Sequence, residues 1–167
     1  STQGQLSTYF KECLQRRRER YPTSWLSDPA LYRYVRGMME ADRVRFLRGD
    51  LLGPTTVRGV AETARKLGVP IRVAYLSNAE EFFRYNDEFR ASFAALPADA
   101  ESVVLRTTGL YRLPTAGGRW NYQVQPLVAF AAALADPALR ALATIAFQAV
   151  ADETPGTSVV GDIALPE

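Results

Sequence analysis

The sequence predicts an α/β fold built around a parallel sheet. Three short segments rich in β-branched and aromatic residues, Val44–Arg48, Ile71–Leu76 and Ser102–Thr107, alternate with helical stretches. Cap residues and glycines fall between them where strands and helices must exchange, and this alternation is the signature of right-handed βαβ units. A composition of 47% hydrophobic and 23% charged residues over 167 residues suits one ordinary globular domain with a real core.

Each element has a local cause. Leu6, Tyr9, Phe10, Cys13 and Leu14 recur at helical spacing, and the basic run Arg16–Arg20 suits the end of that helix, where the dipole favours cations. Ser27-Asp28-Pro29 signals a second helix through Leu31, Tyr34, Val35 and Met38, with a capping side chain ahead of a first-turn proline. Residues 1–42 therefore read as a helical lead-in and residues 43–167 as the α/β part. The strand Val44–Arg48 ends in Gly49-Asp50, and a helix from Thr55 to Leu67 closes at Gly68, a position for left-handed backbone. After Ile71–Leu76, Ser77-Asn78 caps a helix or helix pair opening with Ala79-Glu80-Glu81 and running to about Ala95. Beyond the third strand come a Gly/Pro loop, the segment Trp120–Gln125, helices near Pro126–Ala135 and Pro137–Ala151, and a last strand at Thr157–Ile163.

Several function classes are excluded at once. There is no histidine, which removes Ser-His-Asp and Cys-His catalysis within the chain and metal sites built on imidazole. The single cysteine, Cys13, leaves no intrachain disulfide and reads as a buried structural thiol. A net charge of +2 gives no argument for a nucleic-acid partner. The longest apolar run, Leu127 to Leu134, is far too short for a membrane span, and no signal peptide is visible. G-x-G-x-x-G, G-x-x-x-x-G-K-[ST] and G-x-S-x-G are all missing, so neither a pyrophosphate loop nor a nucleophile elbow is encoded. No metal site and no catalytic residue is assigned.

In open parallel sheets, ligands bind beyond the carboxyl ends of the strands. Asp50, Ser77, Asn78, Glu80, Glu81 and Arg106, with Thr107 and Thr108 after it, belong to that edge. Asp50 offers an acceptor, Ser77 and Asn78 offer small polar groups beside helix N–H donors, and Arg106 suits a carboxylate or phosphate. Each has a structural alternative: Asp50 fixing its own loop, Ser77 and Asn78 as plain caps, Arg106 paired with Glu80 or Glu81 as scaffolding. Trp120, Asn121, Tyr122 and Gln125 either line a pocket by stacking and amide recognition or pack a loop onto the domain.

Gly49-Asp50-Leu51-Leu52-Gly53-Pro54, followed by Tyr75-Leu76-Ser77-Asn78-Ala79-Glu80-Glu81-Phe82-Phe83, resembles an uncharacterised bacterial family with an S-adenosylmethionine-methyltransferase-like fold. Leu96-Pro97, the strand Ser102–Thr107 and the segment Trp120–Gln125 extend the resemblance over roughly residues 25 to 130. It implies a partial Rossmann-like sheet flanked by helices, with the strand ending at Asp50 third and the strand ending at Ser77 fourth. It implies S-adenosylmethionine or a related small molecule as ligand, with Asp50 near the adenine and Ser77-Asn78 facing the methyl acceptor. Glu80, Arg106, Trp120 and Tyr122 are then expected on the substrate side. The first two strands, with the glycine-rich loop, have no counterpart here. The resemblance thus implies completion by an N-terminal half, from the same polypeptide or as a heterodimer with another chain, in a soluble bacterial cytoplasmic protein. A non-catalytic binding or assembly module on a degenerate version of this fold is the alternative.

Overall fold

A computed structural model describes residues 11, 25–26, 28–109, 113, 120–154 and 156–161. The chain divides into two compact units, Ser1–Arg48 and Gly49–Glu167.

In the first unit, helix α1 spans Pro29–Glu40. Its cap is the expected one: the Asp28 carboxylate accepts from the backbone N–H groups of Ala30 and Leu31 at 2.7 and 2.9 Å. The Trp25 and Tyr32 rings stack with centroids 6.1 Å apart. Cys13, Ser27 and the helix expected over Leu6–Arg20 lie outside the described residues, apart from Lys11. The expected strand at Val44–Arg48 is not formed, and Phe46 and Leu47 are 84% and 72% exposed. Apolar alternation alone does not make a strand; the backbone also needs a neighbour to bond.

The second unit begins with helix α2, Thr56–Leu67, which buries Val57, Ala61 and Ala64 and ends on Gly68 at φ 66°. Strand β1 follows at Val73–Ser77, a 3-10 turn at Ala79–Phe82, and helix α3 at Asp87–Ala94. Strands β2 (Val103–Thr108) and β3 (Asn121–Pro126) precede helices α4 (Leu127–Ala133) and α5 (Leu142–Ala146). Strands β4 (Val150–Ala151) and β5 (Thr157–Val159) complete an open sheet of order β1-β2-β3-β5-β4. The fold is α/β, with helices flanking a sheet that is only partly parallel.

The pairs β1-β2 and β3-β5 are parallel, whereas β2-β3 and β4-β5 are antiparallel. The expectation of an all-parallel sheet fails at β3, a strand the sequence pattern did not single out. Parallel strands need a long crossover that carries the chain back along the sheet. The segment after β2 instead returns directly as its antiparallel neighbour. The helix expected over Pro137–Ala151 is likewise shorter, because Val150 and Ala151 pair with Val159 and Ser158.

Alternation in the strands separates two faces. The face bearing Leu76, Val104, Gln125 and Val160 is buried beneath the helices with Phe89, Phe93, Leu127, Phe130 and Ile145. Rings of Tyr85, Phe89, Phe93 and Phe130 meet at centroid distances of 4.3 to 6.4 Å. Arg90 fastens this layer by donating to the carbonyls of Leu134 and Asp136, both at 2.8 Å, and of Leu139. The opposite face leaves Val73, Tyr75, Tyr122 and Val159 exposed.

Candidate functional site

The carboxyl ends of β1 and β2 lie side by side because these strands are parallel, and the chain leaves β1 through an irregular step. The register shifts between Tyr75 and Ser77. Ser77 then adopts φ 52°, a left-handed conformation that costs a non-glycine residue about 1 kcal/mol or more. Its hydroxyl lies 3.3 Å from that of Thr107, near the end of β2. Asn78 precedes the 3-10 turn, but its side chain makes no capping bond.

The two carboxylates of that turn diverge. Glu81 reaches across the edge and accepts from the backbone N–H of Gly109 at 2.8 Å. Glu80 points inward and is almost wholly buried. One of its oxygens accepts from the Tyr85 hydroxyl at 2.7 Å, the other from Arg106 Nε at 2.5 Å. Burial, reinforced by the Glu80 charge, pushes the Tyr85 phenol far above its usual range, so Tyr85 stays protonated and remains a donor. Arg106 also donates from Nη1 to Gln125 Oε1 at 2.9 Å, and its guanidinium carbon sits 4.4 Å from the centroid of the Phe130 ring. Fully buried and paired, Arg106 follows the scaffolding alternative, with Glu80 as its partner.

The residues expected at the site are thus distributed over four places. Ser77 and Asn78 stand at the edge of β1. Glu80 and Arg106 lie beneath the helices. Tyr122 is on the exposed face, directly across from Thr107 in the β2-β3 register. Trp120 approaches the edge: a Cβ built on Gly109 would meet Trp120 Cζ3 at 3.7 Å and Glu81 Oε1 at 3.9 Å. Asp50 belongs to its own loop, where its carboxylate accepts from Leu52 N at 2.9 Å and its N–H donates to the Thr56 hydroxyl. The approach there is so close that a Cβ on Gly49 would fall 2.2 Å from Thr56 Cγ2.

The sequence places Glu81 and Thr107 at this edge, Glu81 as one of two candidate partners of Arg106, and gives no role to Gly109. The available signal for Gly109 was its place directly after Thr107-Thr108, at the end of a strand. Asn121 and Gln125 were grouped with Trp120 and Tyr122, and alternation sends the two amides inward, away from Tyr122. Among the described residues no group of three His, Cys, Asp or Glu side chains could hold a metal ion. No helix among them is long and apolar enough to cross a membrane.

A family model described as a domain of unknown function (DUF7790) matches residues 1–161, and the chain belongs to that family. A search of curated proteins found no match.

Proposed function

We propose that this chain is a methyltransferase-like binding domain that forms one wall of a small-molecule site at the carboxyl edge of β1 and β2. S-adenosylmethionine or a related nucleoside is the ligand this reading assigns. The observation that carries it is the strained Ser77, held by Thr107 beside the carboxamide of Asn78, which makes no capping bond. Backbone strain persists only where its surroundings over-determine it, and it concentrates at ligand sites. An ordinary helix cap requires neither the strain nor the shift in strand register.

The fit to S-adenosylmethionine is partial. Ser77, Asn78 and the Glu81 carboxylate supply hydroxyl, amide and acceptor groups for a polar ligand. The sequence has no glycine-rich turn for the methionine end, which on this reading comes from an N-terminal half or a partner chain. No general base is assigned, since Glu80 is committed to Arg106 and Tyr85.

Isothermal titration with S-adenosylmethionine, on the chain alone and joined to the N-terminal half or partner chain that this reading requires, tests the proposal. Binding is expected in the joined protein. Asn78→Ala should weaken it about five- to tenfold, the effect of losing one hydrogen bond, while the circular dichroism spectrum stays unchanged. No heat at millimolar ligand in the joined protein would refute it.

A second reading, a non-catalytic assembly module, draws on the apolar exposed face of the sheet, with Val73 and Tyr75 both 56% exposed. Tyr75→Glu would then lower the mass of the complex in sedimentation and leave nucleoside titrations unchanged.

A further inference from the structure

We propose that Arg106, Gln123 and Gln125 form an interior binding site for a neutral hydroxyl oxygen, separate from the edge of the sheet. All three residues are fully buried on the helix-covered face. Arg106 stands directly across from Gln123 in the antiparallel register, which brings facing side chains to within roughly 5 Å at their Cβ atoms. The Gln125 carboxamide already touches the same guanidinium.

Four atoms of this group have no partner among the described residues: Arg106 Nη2, Gln125 Nε2, and both Nε2 and Oε1 of Gln123. Buried polar atoms are rarely left in that condition, and four in contacting or facing side chains mark a place built to receive something. Exchanging O and N of the Gln123 amide does not remove the imbalance, because the group still holds three donor nitrogens against one acceptor oxygen.

The chemistry of the guest follows from the inventory. Three nitrogens offer hydrogens and one oxygen offers lone pairs, so the guest accepts more than it donates but donates at least once. A hydroxyl oxygen meets both needs, whereas a bare carbonyl would strand Gln123 Oε1. Charge selects a neutral guest. Glu80 already balances Arg106, and the other polar groups of the cluster, Tyr85, Gln123 and Gln125, carry no charge. An added anion would sit buried and uncompensated. Ordered water and the hydroxyl of a sugar or nucleoside share this chemistry.

The sign of one stability change decides the matter. If the cluster holds a guest, Gln123→Met removes the guest's acceptor and one donor, and the melting midpoint falls by about 5 °C or more. If it holds none, the same change deletes two unpartnered polar atoms and the midpoint rises or stays level, which overturns the proposal. Titrating adenosine and ribose separates the sources. A midpoint shift in the parent protein that is missing in Gln123→Met identifies a ligand hydroxyl, and a fall without any ligand shift identifies water. Should Gln123→Met fail to fold, a high-resolution crystal structure of the parent decides. Density within about 3.2 Å of Gln123 Oε1 and Arg106 Nη2 supports the site, and blank density there rejects it.

Discussion

Two regions share the interior beneath the helices and are stabilised by different physics. One is a stack of rings from Tyr85, Phe89, Phe93 and Phe130; the other is the polar group of Glu80, Arg106, Gln123 and Gln125. Both are closed to solvent. The rings stabilise through area and contact, so any apolar shape that fills the space recovers part of the effect. Within the polar group the Glu80–Arg106 pair stabilises only while both members are present, because a lost partner exposes the desolvation cost of the one left behind. The comparison teaches that equal burial does not mean equal tolerance. Part of the core can be repacked, whereas the Glu80–Arg106 pair must be kept whole or removed whole.

The largest effect should come from the rings. Phe89 is fully buried and meets Phe83, Tyr85, Phe93 and Phe130, so Phe89→Ala should cost about 3–5 kcal/mol in urea unfolding. A loss below about 1 kcal/mol would show that the stack collapses onto the gap and carries little of the stability.

The next effect sharpens the contrast. Arg106→Met strands the Glu80 carboxylate and should cost about 3 kcal/mol or more, whereas Glu80→Leu combined with Arg106→Met should recover most of it. The double variant is the informative one. If it is no more stable than the single, the pair is not the unit that matters.

The smallest effect lies where the regions meet. Tyr85→Phe keeps the ring stack but removes the donor to Glu80, at a cost of about 1–3 kcal/mol near neutral pH. It should also change the alkaline limb of the stability profile. Burial raises the folded-state pKa of Tyr85 above the unfolded value near 10, so its contribution is present below about pH 10 and is lost as pH rises beyond it. Tyr85→Phe should therefore unfold less steeply with pH above 10. Parallel alkaline limbs for the two proteins would contradict the assignment.

Local signals in the sequence were enough for the pieces that depend on near neighbours. The Asp28-Pro29 start of α1, the Gly68 stop of α2, and the β-branched runs of β1 and β2 each follow from the residues in and beside them. The parallel pairing of β1 with β2 followed as well, because a helix-bearing connection between strands leaves little other choice. Val44–Arg48 marks the limit of that reasoning: its pattern is that of a strand, yet no strand forms among the described residues.

At the site, the sequence by itself determined that Ser77 and Asn78 would stand at the end of a strand. It also held the ingredients of the buried pair, since Arg106 with Glu80 was one of its two open readings. Only the tertiary structure decided between those readings, set β3 antiparallel, and turned Gln123 and Gln125 inward while Tyr122 faces out. The reason is physical. Caps, turns and periodicity are settled within a few residues, whereas the direction of a strand and the burial of its faces depend on partners distant in sequence.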